Sequence, residues 1–291
     1  MKKLVFACLL AVTLCACQRE THLRVGSYNL RFANLDTKSD VNNWTLREPR
    51  LLQSFLACDM DLCGVQEIGL NEQASLPAML ASEGLAYDSY FFDPYADDGV
   101  GTRAHGLLWK KDRFTLVGEP HFFWLSDPPE RRQPNDTVPA WKACYTRGGF
   151  CLTLQEKGGE QLFVMVTHAP LNKAQHAENA HIYAAMEQQY NPQGLPSFFL
   201  GDFNACEADA CSAVHRTYWK DAYLAVPADR RSGPEGSFNA WQWETPGADE
   251  RIDFVYYRGE GVTPLTYACD NTMYGGYPSD HFPVYVDFIV R

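Results

Sequence analysis

The chain has 291 residues, of which 46% are hydrophobic, so it can bury a core and fits one two-sheet domain. Its 36 acidic residues outnumber 25 lysines and arginines, which gives a formal charge of -11 at pH 7. An acidic body is a poor electrostatic match for nonspecific polyanion binding. This weakens a nuclease function without excluding it, because a local basic patch or a metal ion can offset the mean charge.

The N-terminus has the pattern of an export signal. Lys2 and Lys3 precede an apolar run over residues 4–16. This run is shorter than the ~20 residues that span a bilayer, so it resembles a signal peptide. The segment ending at Cys17 resembles a bacterial lipobox, which implies removal of residues 1–16 and lipid attachment to Cys17. We expect a lipid-anchored protein facing the periplasm or the cell surface of a bacterium; the alternative is an ordinary secretory signal with incidental cysteines.

The remaining residues, 17–291, show an α/β pattern. Thr45 is predicted to cap a helix that runs through Ala57, and further helices are predicted over 71–82 and 173–189. Strand-like runs lie at 105–110, 114–117, 150–154, 162–167, 197–200, 253–257 and 284–290. Cys206–Cys211 and Cys144–Cys151 are possible disulfides in an exported protein, and buried free thiols are the alternative.

Several strand-like runs end on, or next to, residues that can bind a ligand. The run before Asp202 and Asn204 is mostly apolar, and others lead to Asn29, Glu67 and His168. Asp253 lies at the start of a further run, and Asp280 and His281 precede the strand at 284–290. Because α/β sheets bind ligands at strand ends, this pattern predicts a polar site at one sheet edge.

These segments resemble the endonuclease/exonuclease/phosphatase superfamily. The matching motifs occur in the family's order and span nearly the whole mature chain. They are Ser27–Arg31, Val65–Glu67, Thr167–His168, Gly201–Asn204, Arg251–Phe254 and Ser279–Pro283. The resemblance implies a four-layer sandwich of two packed mixed sheets flanked by helices, and a metal-dependent phosphoesterase activity.

Hard oxygen donors in this set suit a divalent cation. Glu67 and Asp280 offer carboxylates and Asn29 an amide oxygen, a set that fits Mg²⁺ or Mn²⁺. The resemblance implies that these three residues hold the metal.

The other motif residues are predicted to carry the hydrolysis. A carboxylate at Asp253 would fix the tautomer of His281, which could then take a proton from water. Asp202 and Asn204 would position the water or the phosphate, and some relatives give Asp202 the base role, so the base stays open between Asp202 and His281. His168 would bond a phosphate oxygen or assist the leaving group.

Three arginines are candidate phosphate ligands, although surface arginine is an alternative for each: Arg31, Arg103 and Arg147. Arg103 lies at or near the position where many relatives have a glutamate that supports the histidine. A cation there could not accept a hydrogen bond from His168, so the role of His168 is open. The loop Ser237–Trp241 is expected near the mouth of the site.

We therefore predict an exported phosphoesterase that uses Mg²⁺ or Mn²⁺ to hydrolyse a phosphate mono- or diester. The substrate would be a phosphorylated small molecule, a phospholipid or a nucleic acid, and we expect a monomer that contacts the membrane only through its lipid. The alternatives are an endo- or exonuclease and, from another class, a non-catalytic surface binding module on the same fold.

Overall fold

The computed structural model describes residues 20–33, 41–94, 104–132, 147–242 and 250–291. The predicted signal peptide at 1–16, Cys17, Arg103 and Cys144 lie outside these ranges, so the predictions made for them stay predictions. Within the described ranges no helix is both long and apolar enough to cross a membrane.

Two mixed β-sheets form the centre of the molecule. The first sheet has seven strands in the order β10-β12-β13-β1-β2-β4-β3. Its strands are β1 (Thr21–Asn29), β2 (Leu62–Ile68), β3 (Tyr87–Phe92), β4 (Ala104–Lys110), β10 (Arg231–Ser232), β12 (Val262–Cys269) and β13 (Val284–Val290). β1 runs parallel to β2 and antiparallel to β13, so residues from both ends of the chain meet in the middle of this sheet.

The second sheet has six strands in the order β5-β6-β7-β8-β11-β9. They are β5 (Phe114–Trp124), β6 (Gly148–Glu156), β7 (Gln161–His168), β8 (Ser197–Asp202), β9 (Lys220–Asp221) and β11 (Asp253–Arg258). β7 and β8 are parallel, and Asp202 is paired with His168 on one side and with Asp253 of β11 on the other.

Helices cover the outer faces of both sheets. They are α1 (Trp44–Cys58), α2 (Leu70–Ser82), α3 (His176–Tyr190), α4 (Ala210–Tyr218) and α5 (Ala222–Ala225). Apolar residues of α1 and α2, such as Phe55 and Leu76, pack on the seven-stranded sheet. Tyr183 of α3 and neighbouring aromatic residues pack on the six-stranded sheet. The predicted four-layer α/β sandwich is therefore confirmed.

Strand alternation separates the central core from the outer ones. Successive strand residues point to opposite faces, so every second residue faces the other sheet. Val25, Val166, Leu200 and Val255 are buried in the layer between the sheets, whereas Phe199 lies in the outer layer under α3. This alternation decides which side chains at the strand ends point into the space between the two sheets.

The α1 helix begins earlier than predicted, and Thr45 is not its cap. Asn43 is the capping residue, and its side-chain oxygen accepts a hydrogen bond from the Leu46 amide. An asparagine at this place satisfies one of the amides that an N-terminal turn leaves open. The prediction of Thr45 as the cap was wrong because threonine and asparagine are both good capping residues. The helix already begins at Trp44, so the cap is Asn43.

Some strands differ from the predictions, and one of the two possible disulfides is not formed. β5 continues past 117 to Trp124, because a register shift between Val117 and His121 absorbs Gly118 and Pro120. The short or edge elements β3, β9, β10, α4 and α5 were not predicted, and neither was β12, which contains Pro264 beside a register shift. Cys206, Cys211 and Cys151 are free thiols, so the Cys206–Cys211 disulfide is not formed.

Candidate active site

Four strands carry a polar residue at one end, in the same phase as their inward apolar residues. They are Asn29 of β1, His168 of β7, Asp202 of β8 and Asp253 of β11. Each is at most 2% exposed. Because the phase that packs Val25, Val166, Leu200 and Val255 also governs these ends, the four polar side chains enter the space between the two sheets at one edge.

His281 and Asp253 form a close pair. The imidazole Nδ1 lies 2.8 Å from Asp253 Oδ2, and Ser237 Oγ donates to the same oxygen at 2.6 Å. Ser237 Oγ also accepts from the Asp253 amide at 3.0 Å. A carboxylate accepts here, so Nδ1 of His281 carries a proton and its ring orientation is set. The loop Ser237–Trp241 thus lies against the site, as predicted, but the role of Ser237 was not predicted.

Asp202 joins the other polar groups of the site. Asn29 donates from Nδ2 to Asp202 Oδ2 at 3.0 Å, and the Asn204 amide donates to Oδ1 at 2.9 Å. Nε2 of His168 lies 3.4 Å from Oδ2, and Nε2 of His281 lies 3.8 Å from it. One carboxylate oxygen therefore faces an amide and two imidazoles.

Burial and the nearby charges change the acidity of both groups. Burial, followed by the Asp253 carboxylate, raises the pKa of Asp202 above its usual range. Burial alone would lower the pKa of His281, but Asp253, Asp202 and Asp280 outweigh it and raise that pKa to about 10. His281 is therefore an imidazolium at neutral pH, whereas Asp202 takes up a proton more readily than an ordinary aspartate.

The three predicted metal ligands also converge. Ser279 Oγ donates to the Asn29 carbonyl at 2.7 Å, which puts Asp280 beside the end of β1. The Leu30 amide donates to the Gln66 carbonyl at 2.9 Å, which puts Glu67 beside it as well. Burial raises the pKa of Asp280, and the Glu67 carboxylate adds to that effect. Two carboxylates thus meet beside the end of β1, where Asn29 Oδ1 accepts from the Arg31 amide at 3.0 Å.

Glu67 reaches this place by a local departure from strand geometry. It is out of phase with the inward residues of β2, but the pairing of β2 with β4 shifts register between Val65 and Ile68. Glu67 also has a φ of 55°, and its Oε2 accepts from the Phe32 amide at 3.1 Å. The bulge therefore turns the Glu67 side chain toward the site, whereas regular alternation would place it in the outer layer.

The donor set fits a divalent cation of the magnesium type. Carboxylate and amide oxygens without sulfur are the ligands that Mg²⁺ and Mn²⁺ prefer. Two carboxylates in one cleft repel each other, and a cation would relieve that repulsion. Arg31 Nη1 already lies 3.2 Å from Asp280 Oδ2, which shows that this carboxylate takes a cationic partner.

A second group of possible ligand atoms lies alongside. Asp202, Asp253 and His281 each place one such atom within 4.8 Å of the others. In this group His281 Nδ1 and Ser237 Oγ already occupy Asp253 Oδ2. The geometry therefore distinguishes the hydrogen-bonded pair of His281 and Asp253, with Asp202 beside it, from the oxygen set of Asn29, Glu67 and Asp280.

Backbone strain is concentrated around the site. Six non-glycine residues of the described ranges have positive φ, and three of them, Arg31, Glu67 and Asn204, are predicted site residues. Two more, Ala240 and Trp241, follow Asn239, whose amide donates to the Asp280 carbonyl at 2.8 Å. Residues held in such conformations cost of order 1–3 kcal/mol each and often mark functional sites.

The predicted phosphate arginines lie in different surroundings. Arg31 is half-buried on Asp280. Arg147 is 4% exposed, and its Nη1 lies 2.8 Å from Nδ1 of His168. Asn204 also supports this region, since its Nδ2 donates to the Ala169 carbonyl next to His168 at 2.8 Å.

Other supporting residues were missed at the sequence level. Fully buried Arg47 of α1 donates to the carbonyls of Leu30, Arg31 and Pro278, and so ties the β1 end to the loop that carries Asp280. Asn239 donates to the Ser279 carbonyl at 3.1 Å. Asn239 was signalled only by its place in the loop Ser237–Trp241, and nothing local in the sequence marks Arg47.

With this geometry established, the chain can be compared with known proteins. The sequence model of the Endonuclease/Exonuclease/phosphatase family matches residues 26–281. The chain belongs to this family. Its members include phosphoesterases and nucleases, so membership supports a hydrolase of phosphate esters. Comparison with curated proteins gave no match.

Solved structures share the fold over almost the whole chain. An endonuclease/exonuclease/phosphatase family protein from Bacteroides thetaiotaomicron is 25% identical, with a TM-score of 0.80 over 94% of this chain and 99% of that one. A mannosyl-6-phosphatase from Bacteroides thetaiotaomicron VPI-5482 is 25% identical, with a TM-score of 0.76 over 91% and 99%. The human Nocturnin catalytic domain, solved with a bound sulfate, is 20% identical, with a TM-score of 0.68 over 94% and 98%.

Proposed function

We propose that this protein is a divalent-metal-dependent phosphoesterase that hydrolyses a phosphate ester of a small molecule by in-line attack of water. The observation that carries the proposal is the hydrogen bond from Asn29 to Asp202 at 3.0 Å. It places the oxygen set of Asn29, Glu67 and Asp280 directly beside the Asp202, Asp253 and His281 trio. Ligands for a divalent cation and groups that exchange protons would thus share one cleft.

Asn29, Glu67 and Asp280 would hold Mg²⁺ or Mn²⁺. A bound divalent cation supplies charge stabilisation at a phosphoryl oxygen. Arg31, on Asp280, is placed to add a guanidinium contact to a second oxygen, as the planar fork suits phosphate. Asn29 has an additional task, because its Nδ2 orients the Asp202 carboxylate.

Asp202 is the group that we assign to the attacking water. Its raised pKa makes it a better proton acceptor at neutral pH than an ordinary aspartate, and general bases work best with a pKa near the working pH. His281 already holds its protons under those conditions, so it supports Asp202 as a cation, with Asp253 and Ser237 fixing its ring. Asn204 holds Asp202 through its backbone amide.

Two observations favour a small substrate over a nucleic acid. The formal charge of -11 opposes the long-range attraction that polyanion binding requires. The mannosyl-6-phosphatase relative is, by its name, a phosphatase of a phosphorylated sugar. We therefore favour a phosphorylated small molecule, such as a sugar phosphate, with a nuclease as the competing activity.

Export and lipid anchoring are part of the proposal. They rest on Lys2, Lys3, the apolar run at 4–16 and the lipobox-like segment at Cys17. Metabolic labelling with radioactive palmitate in a bacterial host should label the wild-type protein and not Cys17→Ala. Equal labelling of both proteins, or of neither, would contradict the anchor.

The activity is tested with p-nitrophenyl phosphate and bis-p-nitrophenyl phosphate, beside sugar phosphates, inositol phosphates, phospholipid vesicles and plasmid DNA. We expect turnover with Mg²⁺ that EDTA abolishes, and highest activity on a small phosphate ester. Asp202→Asn serves as the inactive control. Turnover that resists the chelator would exclude the metal, preferred cleavage of DNA would favour a nuclease, and no turnover on any ester would favour a non-catalytic binding module.

A further inference from the structure

The contact between Arg147 and His168 has only one chemical interpretation. Nη1 of Arg147 lies 2.8 Å from Nδ1 of His168. A guanidinium carries only donors and is not deprotonated in proteins. Nδ1 must therefore accept this hydrogen bond with its lone pair, and the ring proton of a neutral imidazole must then be on Nε2.

The surroundings hold this contact in place. Arg147 and His168 are 4% and 2% exposed. The two residues after Arg147 are glycines without room for a side chain. A Cβ at Gly148 would lie 2.5 Å from the Phe123 carbonyl oxygen, and one at Gly149 would lie 2.6 Å from the Phe123 ring. The start of β6 therefore packs closely against β5. This close packing fixes the position of Arg147 next to His168.

Protonation of His168 at Nδ1 would break this hydrogen bond and bring two cations together in a buried place. The imidazole therefore stays neutral and presents Nε2–H. Nε2 of His168 lies 3.4 Å from Asp202 Oδ2, which is longer than a normal hydrogen bond. The Nε2–H can therefore donate to a stronger acceptor instead. A phosphoryl oxygen beside Asp202 is such an acceptor.

We propose that Arg147 is a positioning residue that fixes His168 as a neutral Nε2–H hydrogen-bond donor to a phosphoryl oxygen. Arg147 acts through the imidazole rather than on the substrate directly. The assignment of a phosphoryl oxygen as the acceptor rests on the proposed function, whereas the tautomer rests on the contact alone.

The two histidines of the site are then set in opposite ways. A carboxylate, Asp253, lies behind His281 and accepts a hydrogen bond from its Nδ1–H, whereas a guanidinium lies behind His168 and donates to its Nδ1. Both present Nε2 toward Asp202. The partner behind each ring thus keeps the Nδ1 proton on His281 and excludes it from Nδ1 of His168.

The tautomers are measured directly by ¹⁵N NMR of the full chain labelled on histidine, at neutral pH with Mg²⁺, with His168 assigned by its loss in His168→Gln. We expect unprotonated Nδ1 and protonated Nε2 for His168. In Arg147→Glu the carboxylate should move the proton to Nδ1. His281 is the internal control, since it should keep its Nδ1 proton in both proteins, and Arg113→Met is the control for loss of a distant half-buried arginine.

A wild-type His168 that carries its proton on Nδ1, or on both nitrogens, would overturn the proposal. This outcome needs no variant, so it stands even if Arg147→Glu fails to fold. The measurement also does not depend on turnover. Absence of hydrolysis on every ester would therefore remove the proposed function without deciding the tautomer.

Kinetics separate positioning from phosphate binding. Arg147→Met should lower kcat roughly 10–100-fold, the range expected for loss of a hydrogen bond from a charged donor, with little change in KM. Arg147→Lys should restore part of kcat, because an ammonium can also donate to Nδ1. A raised KM with unchanged kcat in Arg147→Met would mean that the arginine binds the phosphate itself and would contradict the positioning role.

Discussion

Asn29 donates from its Nδ2 to Asp202 Oδ2 at 3.0 Å, across 173 residues of sequence and from one β-sheet to the other. Through this bond the residue at the end of β1 serves both halves of the site. Its side-chain amide nitrogen holds the Asp202 carboxylate, and its backbone carbonyl accepts from Ser279 Oγ next to Asp280.

Replacement of Asn29 by leucine should therefore affect both halves. A lost hydrogen bond to a charged group corresponds to about 1.5–3 kcal/mol, so we expect kcat/KM to fall by at least about tenfold. The pKa of Asp202 should rise further, because Asn29 is one of the groups that lower it. The measurement is a pH–rate profile; an acid limb unmoved in Asn29→Leu would show that the amide does not hold Asp202.

Metal binding should depend on Glu67. Glu67→Gln removes one of the two carboxylate charges of the oxygen set, so we expect weaker Mg²⁺ binding by isothermal titration calorimetry and a higher Mg²⁺ requirement for turnover. Exposed Glu83 at the end of α2 is the matched control, and Glu83→Gln should bind as the wild type does. Equal Mg²⁺ affinity for both variants would place the cation elsewhere, with the Asp202, Asp253 and His281 trio as the next candidate.

The pH dependence of turnover should be bell-shaped. Asp202 must be ionised to accept a proton, and since its pKa is raised, activity should fall on the acid side well above the usual range of an aspartate. His281 must be protonated to support it, so activity should fall again as the pH passes about 10. His281→Ala should lower kcat and remove the alkaline limb, because the charged group that supports the ionised Asp202 is lost. A wild-type profile in which activity requires neutral His281 would return the base role to that residue.

Buried His215 should make the fold sensitive to acid. Burial among aromatic residues of α3 and the six-stranded sheet lowers its pKa from 6.5 to about 3. Above pH 6.5 the His215 ring is neutral in both the folded and the unfolded chain, so it does not change the free energy of unfolding. Below that, only the unfolded chain binds the proton, so the unfolding free energy should fall by about 1.4 kcal/mol per pH unit.

Urea denaturation at pH 7 and pH 5 tests this dependence. His215→Phe keeps an aromatic ring and should lose part of the difference between the two pH values. His22, which is exposed on β1, provides the control, and His22→Phe should behave as the wild type does. An unchanged pH difference in His215→Phe would show that other groups, such as His105, whose pKa burial also lowers to about 3, account for the acid sensitivity.

Secondary structure was predictable where a single periodic pattern dominated. β13 alternates cleanly and β7 is a continuous apolar run, and both were predicted almost to their bounds, as was α2. β12 was missed because Pro264 argues against a strand, and the structure accommodates it with a register shift. The first half of β5 was predicted and the second was not, since Gly118 and Pro120 are typical of a strand end and only the paired strand shows the bulge.

The sequence by itself determined the layered α/β fold and the set of polar residues at the strand ends. Both follow from local patterns, because alternation fixes which side chain each strand delivers at its end. Only the tertiary structure decided how those groups act on each other. The bulge that turns Glu67 inward, Ser237 on Asp253, and Arg147 behind His168 depend on residues from separate elements, and local periodicity carries no information on such contacts.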